Sequence, residues 1–283
     1  MQRYKILHRT YYNFSGTVTL EPHTLRLRPR EDHELRIESS LLKITPAATL
    51  RWHRDVEDNS IAVASFSTPT NQLAIESEVI IQQYNLAPLD FLIADYAVNY
   101  PFAYKPEDWA VLAPYTVITN PAASDVLTDW LANLWHSGEQ LQTYELLQRI
   151  TSRISQTVSY LRREEPGVQS ASETLTNGTG SCRDLANLFM ESVRHLGFAS
   201  RFVSGYLHAE PSSVNFGSTH AWAEVFLPGA GWKGFDPTIG NIVGTDHFTV
   251  SVARSPELAP PIAGSFVGPT GANLDVGVWV TNL

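Results

Sequence analysis

Two hydrophobic periods divide this chain. Up to about residue 112, apolar and polar positions alternate in short runs, Thr17 to Arg28, His33 to Ile44, Ser60 to Ser67 and Leu73 to Gln83. That period of two is the pattern of half-buried strands. Pro29 and Arg30, Pro46, Asp58 and Asn59, and Pro69 to Asn71 punctuate the runs with turn residues. Several short strands at this spacing predict an all-β sandwich or barrel. The stretch Tyr96 to Trp109, rich in aromatics and interrupted by Pro101 and Pro106, reads equally as a packed crossover or as ordinary loop.

Near residue 115 the period lengthens to that of a helix. Ser124 to Trp135 is one such segment, with Ser124 as its cap and Asp125 in its first turn. Thr143 to Val158 is a second, carrying Leu147, Ile150, Ile154 and Val158 on one stripe. In the third, Asp184 to Leu196, the stripe is Leu185, Phe189, Val193 and Leu196, and Gly197 supplies the stop. Strand patterns then return in Ala199 to His208, His220 to Leu227, Trp232 to Asp236, His247 to Ala253 and Leu274 to Thr281. Helices followed by strands, without regular alternation, predict an α+β domain with an antiparallel sheet. The expected organisation is therefore a β-rich domain over residues 1–112 and a second domain over 113–283.

Composition narrows the function classes. At 283 residues the chain exceeds what one core usually spans, and 43% hydrophobic against 17% charged residues is the balance of a folded globular protein. A net charge of -9, from 20 basic and 29 acidic residues, disfavours a nucleic-acid partner. The N-terminus lacks the apolar core of a signal peptide, and no later stretch is apolar enough to cross a bilayer. These features predict a cytoplasmic location, no membrane partner and a reducing environment that suits a free thiol.

The candidate chemistry centres on Cys182, the single cysteine. It lies in Gly180-Ser181-Cys182-Arg183-Asp184, where a glycine-punctuated loop runs into the third helix. A thiolate at a helix start faces unpaired backbone N–H groups and the positive end of the dipole. A lone cysteine is more often a small buried hydrophobe, but this one has polar and glycine neighbours. An intrachain disulfide is excluded, and nine scattered histidines show no paired-ligand spacing for zinc. No cofactor or metal is expected. His220 opens the alternating segment to Leu227, Pro228 to Gly231 supply a turn, and Trp232 to Asp236 follow as the return strand. Pairing Leu227 with Trp232 would set His220 opposite Ile239, so a close His220–Asp236 contact requires a bulge or a shifted closure. A thiol, an imidazole that takes its proton and a carboxylate that orients the imidazole are the parts of a thiol acyl-transfer site. Gly229-Ala230-Gly231-Trp232-Lys233-Gly234 matches G-x-G-x-x-G but precedes a strand, and is read as a hairpin turn rather than a dinucleotide site.

Gly180-Ser181-Cys182-Arg183-Asp184, Arg201 to Leu207, Thr219-His220-Ala221-Trp222-Ala223-Glu224-Val225 and Gly231 to Thr238 together resemble the bacterial transglutaminase-like proteins. His8 to Tyr12 and Leu25 to Arg30 resemble their β-rich N-terminal domain, and Phe248 to Val280 their closing strands. The resemblance implies a papain-like core with Cys182 as nucleophile, His220 as acid/base and Asp236 as its orienting partner. In such a site the oxyanion donors would be the Cys182 backbone N–H and Tyr160. Arg183 stands where calcium-dependent animal relatives carry Trp, which leaves substrate preference open; no acidic loop has calcium spacing. Trp222 and Arg183 are candidate cleft walls, as is Trp232, although strand tryptophans more commonly pack in cores. The implied activity is thiol-dependent hydrolysis of a peptide or protein amide, or its transfer to an amine acceptor. A peptide- or protein-binding module without catalysis is the alternative.

Overall fold

The alternating segments of the N-terminal third form two antiparallel sheets in the computed structural model, which describes residues 1–119, 124–163, 165–208 and 219–283. Their strands are β1 (Gln2–Leu20), β2 (His23–Leu25), β3 (Leu35–Thr45), β4 (Ala48–Arg54), β5 (Ser60–Phe66) and β6 (Thr70–Gln83). In one sheet β6 lies between β1 and β3; in the other β5 lies between β2 and β4. Their inner faces close over Val18, Leu20, Leu25, Ala62, Ala64, Leu73 and Ile75. β1 begins far ahead of the Thr17 to Arg28 run because Tyr4, Ile6, His8 and Thr10 are buried in alternation. Two of these four are polar, which blurs the hydropathy pattern. β4 shows almost no burial, so its sequence carries little alternation to read.

Among the described residues five α-helices follow, α1 (Pro106–Leu112), α2 (Ser124–Leu131), α3 (Thr143–Thr157), α4 (Ala171–Asn177) and α5 (Cys182–His195). The side chain of Ser124, expected to cap α2, lies outside the described residues. α1 and α4 were not apparent from periodicity because each is only 7 residues long. α4 does carry a local signal: Ser170 and Glu173 form a reciprocal capping box, the S-x-x-E pattern. α5 is buried along nearly its whole length, from Asp184 to Arg194, and is the central helix of the second core.

Besides a two-residue pair, Asn99–Tyr100 with Leu141–Gln142, the later strands are β7 (Ser159–Tyr160), β8 (Thr179–Gly180), β9 (Ser200–Leu207), β10 (His220–Leu227), β11 (Gly231–Asp236), β12 (Asn241–Ile242), β13 (His247–Ala253), β14 (Ile262–Ala263), β15 (Phe266–Val267) and β16 (Ala272–Asn282). A five-stranded antiparallel sheet runs β12-β11-β10-β9-β13, and α5 packs against it through Leu185, Leu188, Phe189 and Val193. Tyr96 to Trp109 is a packed crossover: Tyr100 stacks on Phe198, and the Tyr104 hydroxyl donates to Phe226 O while accepting from the Ala199 N–H.

The expected division at residue 112/113 needs one correction. Of the segment Phe248 to Val280, only β13 joins the core sheet; β14 pairs with β2, and β15 and β16 pair with β1. The tail returns to the first domain because β1 has an open edge that an eleven-residue antiparallel partner satisfies. The two domains are joined by an apolar cluster in which Tyr4, Ile6, Val79 and Ile81 meet Tyr206, Phe248 and Val250. Asn59 reinforces it by hydrogen-bonding both backbone groups of Val252.

Candidate active site

Cys182 is set in place by the local chemistry of the α5 start. β7 pairs in parallel with β8, Tyr160 beside Gly180, which brings Tyr160 next to the cysteine loop. Gly180 is tightly enclosed: a Cβ there would lie 3.0 Å from both Asp184 Cβ and Leu185 Cδ1. Ser181 is the N-cap, and its N–H (2.8 Å) and hydroxyl (2.7 Å) both donate to Asp184 Oδ2. Asp184 Oδ1 accepts from Arg163 (2.7 Å) and from the Gln169 N–H (2.8 Å). Burial opposes this charge, but hydrogen bonds from Gln169, Ser181 and Arg163 outweigh it and hold the Asp184 carboxyl below its ordinary value. Asp184 is thus a helix-capping group bound to Arg163.

The histidine and the aspartate come from the hairpin, whose closure is shifted by one residue from the simple pairing. Leu227 pairs with Gly231 and Ala223 with Phe235, so Asp236 is offset diagonally from His220 by two positions and no bulge is needed. The turn itself is the Gly-rich segment, with Gly229 and Gly231 both in the left-handed region. His220 Nε2 donates to Asp236 Oδ2 at 2.6 Å, and Asp236 is fully buried. Asp236 Oδ1 accepts from the backbone N–H groups of Thr238 (2.9 Å) and Ile239 (3.4 Å).

Burial disfavours the charged imidazole, yet the charge and hydrogen bond of Asp236, with a smaller contribution from Cys182, raise the His220 pKa to about 10. Burial alone would likewise push Asp236 up; the charge and hydrogen bond of His220 and a further hydrogen bond from His247 hold it well below the usual carboxylate range. With Nε2 committed to Asp236, Nδ1 is the ring nitrogen left for the thiol.

Cys182 and His220 face one cavity of about 400 Å³, lined also by Tyr160, Arg183, Phe202 and Ser204. Tyr160 is therefore beside the thiol, and burial together with the neighbouring Cys182 raises its pKa. Arg183 is in the wall, its guanidinium tied to the carbonyls of Glu165 (2.5 Å) and Arg163 (3.4 Å). Trp222 is not a wall: it is wholly buried and packs with Val203 and Val252. Its ring is on the same strand face as His220 but fills the space that Gly205 leaves. Trp232 has the Arg201 guanidinium over its ring, meets Tyr115 and Phe226 in T-shaped contacts, and does not line the cavity.

His247 is the site residue that sequence reasoning missed. Its Nε2 lies 3.1 Å from Asp236 Oδ2, although β13 is three strands away from β11. His247 opens β13 directly after the 243–246 loop, so the path of that loop, and no strand pairing, brings the two together. His220, Asp236 and His247 offer ligand atoms within 4.8 Å of one another, the one such cluster among the described residues. Two imidazoles and a carboxylate suit zinc in kind. The 2.6 Å approach and the strongly held proton of His220 are instead those of a hydrogen-bonded ion pair.

Residues 4–82 match the family described as the bacterial transglutaminase-like N-terminal region, and residues 134–237 match the transglutaminase-like superfamily. An uncharacterized protein of Mycobacterium tuberculosis is 27% identical over 292 residues, covering 98% of this chain and 92% of that one. Another from Mycobacterium leprae is 23% identical over 291 residues and covers all of both chains. In fold, the chain is similar to the crystal structure of a candidate cysteine protease from Cytophaga hutchinsonii, with a TM-score of 0.75 at 17% identity, covering 100% of this chain and 91% of that one. With a β-rich N-terminal region and a papain-like core, the chain thus carries a bacterial transglutaminase-like N-terminal region over residues 4–82 and a transglutaminase-like superfamily core over residues 134–237.

Proposed function

We propose that the protein is a thiol acyl-transfer enzyme acting on a peptide or protein amide, with Cys182 as nucleophile, His220 as acid and base, and Asp236 as the orienting carboxylate. The observation that carries this is that Cys182 and His220 line one cavity while the buried Asp236 binds the imidazole at 2.6 Å. In the first half-reaction the Cys182 thiol passes its proton to His220, and the sulfur attacks the carbonyl carbon and forms a C–S bond. The carbonyl oxygen gains negative charge, which the Cys182 N–H and the hydroxyl of Tyr160, a residue of the same cavity, would stabilise. The C–N bond then breaks as His220 gives its proton to the leaving amine, leaving a thioester. In the second half-reaction water or an amine attacks the thioester, its proton passes to His220, and the C–S bond breaks. Hydrolysis and amine transfer share every step up to that attack. The free acid is the product of one and a new amide that of the other.

The test is labelling by a peptide electrophile at neutral pH under reducing conditions, followed by mass spectrometry. A single adduct on Cys182, absent in Cys182→Ala, is expected; no adduct on the folded protein would refute a catalytic thiol. Supplying an amine to the acylated enzyme then separates transfer from hydrolysis by the mass of the product.

A further inference from the structure

Asp236 has more partners than an orienting carboxylate requires. Oδ1 is fixed by the N–H groups of Thr238 and Ile239, and Oδ2 is shared by two imidazoles, His220 at 2.6 Å and His247 at 3.1 Å. The His247 ring is itself held. The Gly244 N–H donates to its Nδ1 at 3.4 Å, so in the neutral ring Nε2 carries the proton and points it at Asp236. The edge of Trp222 meets the ring at 5.1 Å, and only 3% of the side chain is exposed.

From this geometry we infer that His247 is a positioning residue for acyl transfer, holding the Asp236 carboxylate in plane toward His220 through the whole cycle. The inference rests on the proposed roles of Cys182, His220 and Asp236. Its physical basis is the movement of the proton. When His220 becomes neutral after protonating the leaving amine, its bond to Oδ2 loses its ionic part and weakens. Oδ2 would then be free to turn with the ring if nothing else held it. A second donor that never leaves the carboxylate keeps the acceptor in register for the return of the proton. It also takes up part of the Oδ2 charge, which moderates the hold of Asp236 on the His220 proton. Nothing in the position of His247 lets it touch substrate, since it does not line the cavity.

Side-chain length separates a positioning role from mere filling of space. In His247→Gln the amide nitrogen reaches about where Nε2 stood; in His247→Asn it stops short of Asp236, and His247→Leu has no donor. With saturable labelling of the full chain by the peptide electrophile, the Leu and Asn variants should lower the limiting rate roughly 10- to 100-fold, with half-saturation changed less than about twofold. His247→Gln should recover most of the rate. In ¹H–¹⁵N spectra of the imidazoles, the His220 Nε2–H signal should shift in the Leu and Asn variants and return in Gln. Equal limiting rates in all variants would overturn the inference, as would a Gln variant as slow as Asn. If His247→Leu fails to fold, the contrast of Gln with Asn decides. If the wild-type protein does not label, the proposed enzyme falls, and an unchanged His220 signal across the variants then separately refutes the positioning role.

Discussion

Two fully buried carboxylates lie behind residues that line the cavity, Asp184 at the start of α5 and Asp236 at the open end of the β10–β11 hairpin. Both are held below their ordinary pKa, and both have each oxygen occupied by donors. They differ in what those donors can do. Asp184 is bound by Arg163, a hydroxyl and backbone N–H groups, none of which gives up a proton near neutral pH. Asp236 is bound by two imidazoles, one of which faces the thiol. Equal burial and equal satisfaction therefore yield opposite roles. The first carboxylate clamps the loop that presents Cys182, and the second orients a group whose charge can move.

Substitutions should separate these roles. The largest effect is expected from Asp236→Asn, which keeps the volume but removes the charge that holds the His220 proton. The rate of Cys182 acylation should fall about 10⁴-fold, and a loss of only a few-fold would break the distinction. Asp184→Ala should act on folding instead. Breaking a buried ion pair costs about 3 to 5 kcal/mol, read as a lower urea midpoint at unchanged slope. A midpoint equal to the wild type would show that Asp184 is no clamp. Tyr160→Phe should leave stability nearly unchanged and lower the acylation rate about 10²-fold. Retention of the full rate would remove the hydroxyl from the oxyanion role.

The gentlest probe is pH. Because the folded pKa of His220 is raised to about 10, its contribution to stability is complete below its unfolded value, about 6.5, and is lost as pH rises through about 10. The two lowered carboxylates act in the opposite direction: their contribution is complete above about pH 4 and is lost as pH falls through their folded values. Urea midpoints measured from pH 6 to 10 should therefore decline, and His220→Gln should flatten that decline. A wild-type profile no steeper than that of the variant would contradict the ion pair.

Much of the fold was legible along the chain because the segments that bury one face repeat at the period of their own backbone. α3 and α5 show their apolar stripes, and β10 runs from His220 to Leu227 as its alternation predicts. Elements that bury little or hide polar groups were not legible. β4 is mostly exposed, and the first half of β1 buries His8 and Thr10, which hydrogen-bond to each other at 2.8 Å. The hairpin showed that His220 and Asp236 belong together but not the closure that joins them, because a shift of one residue costs the turn little while moving every pair. Trp222 was misplaced because alternation sets it on the same strand face as His220, while the space over Gly205 that buries its ring exists only in the fold.

By its own content the sequence determined the chemical parts: one thiol at a helix start, a histidine and an aspartate on adjoining strands, and a β-rich region before an α+β core. Tertiary structure alone decided three matters. It returned β16 to β1, brought His247 to Asp236, and turned Trp222 inward over Gly205. The physical reason is common to all three. Periodicity and caps are set by neighbours a few residues apart, whereas strand order and the side chains that share one carboxylate depend on segments distant along the chain, which meet only when the whole sheet closes.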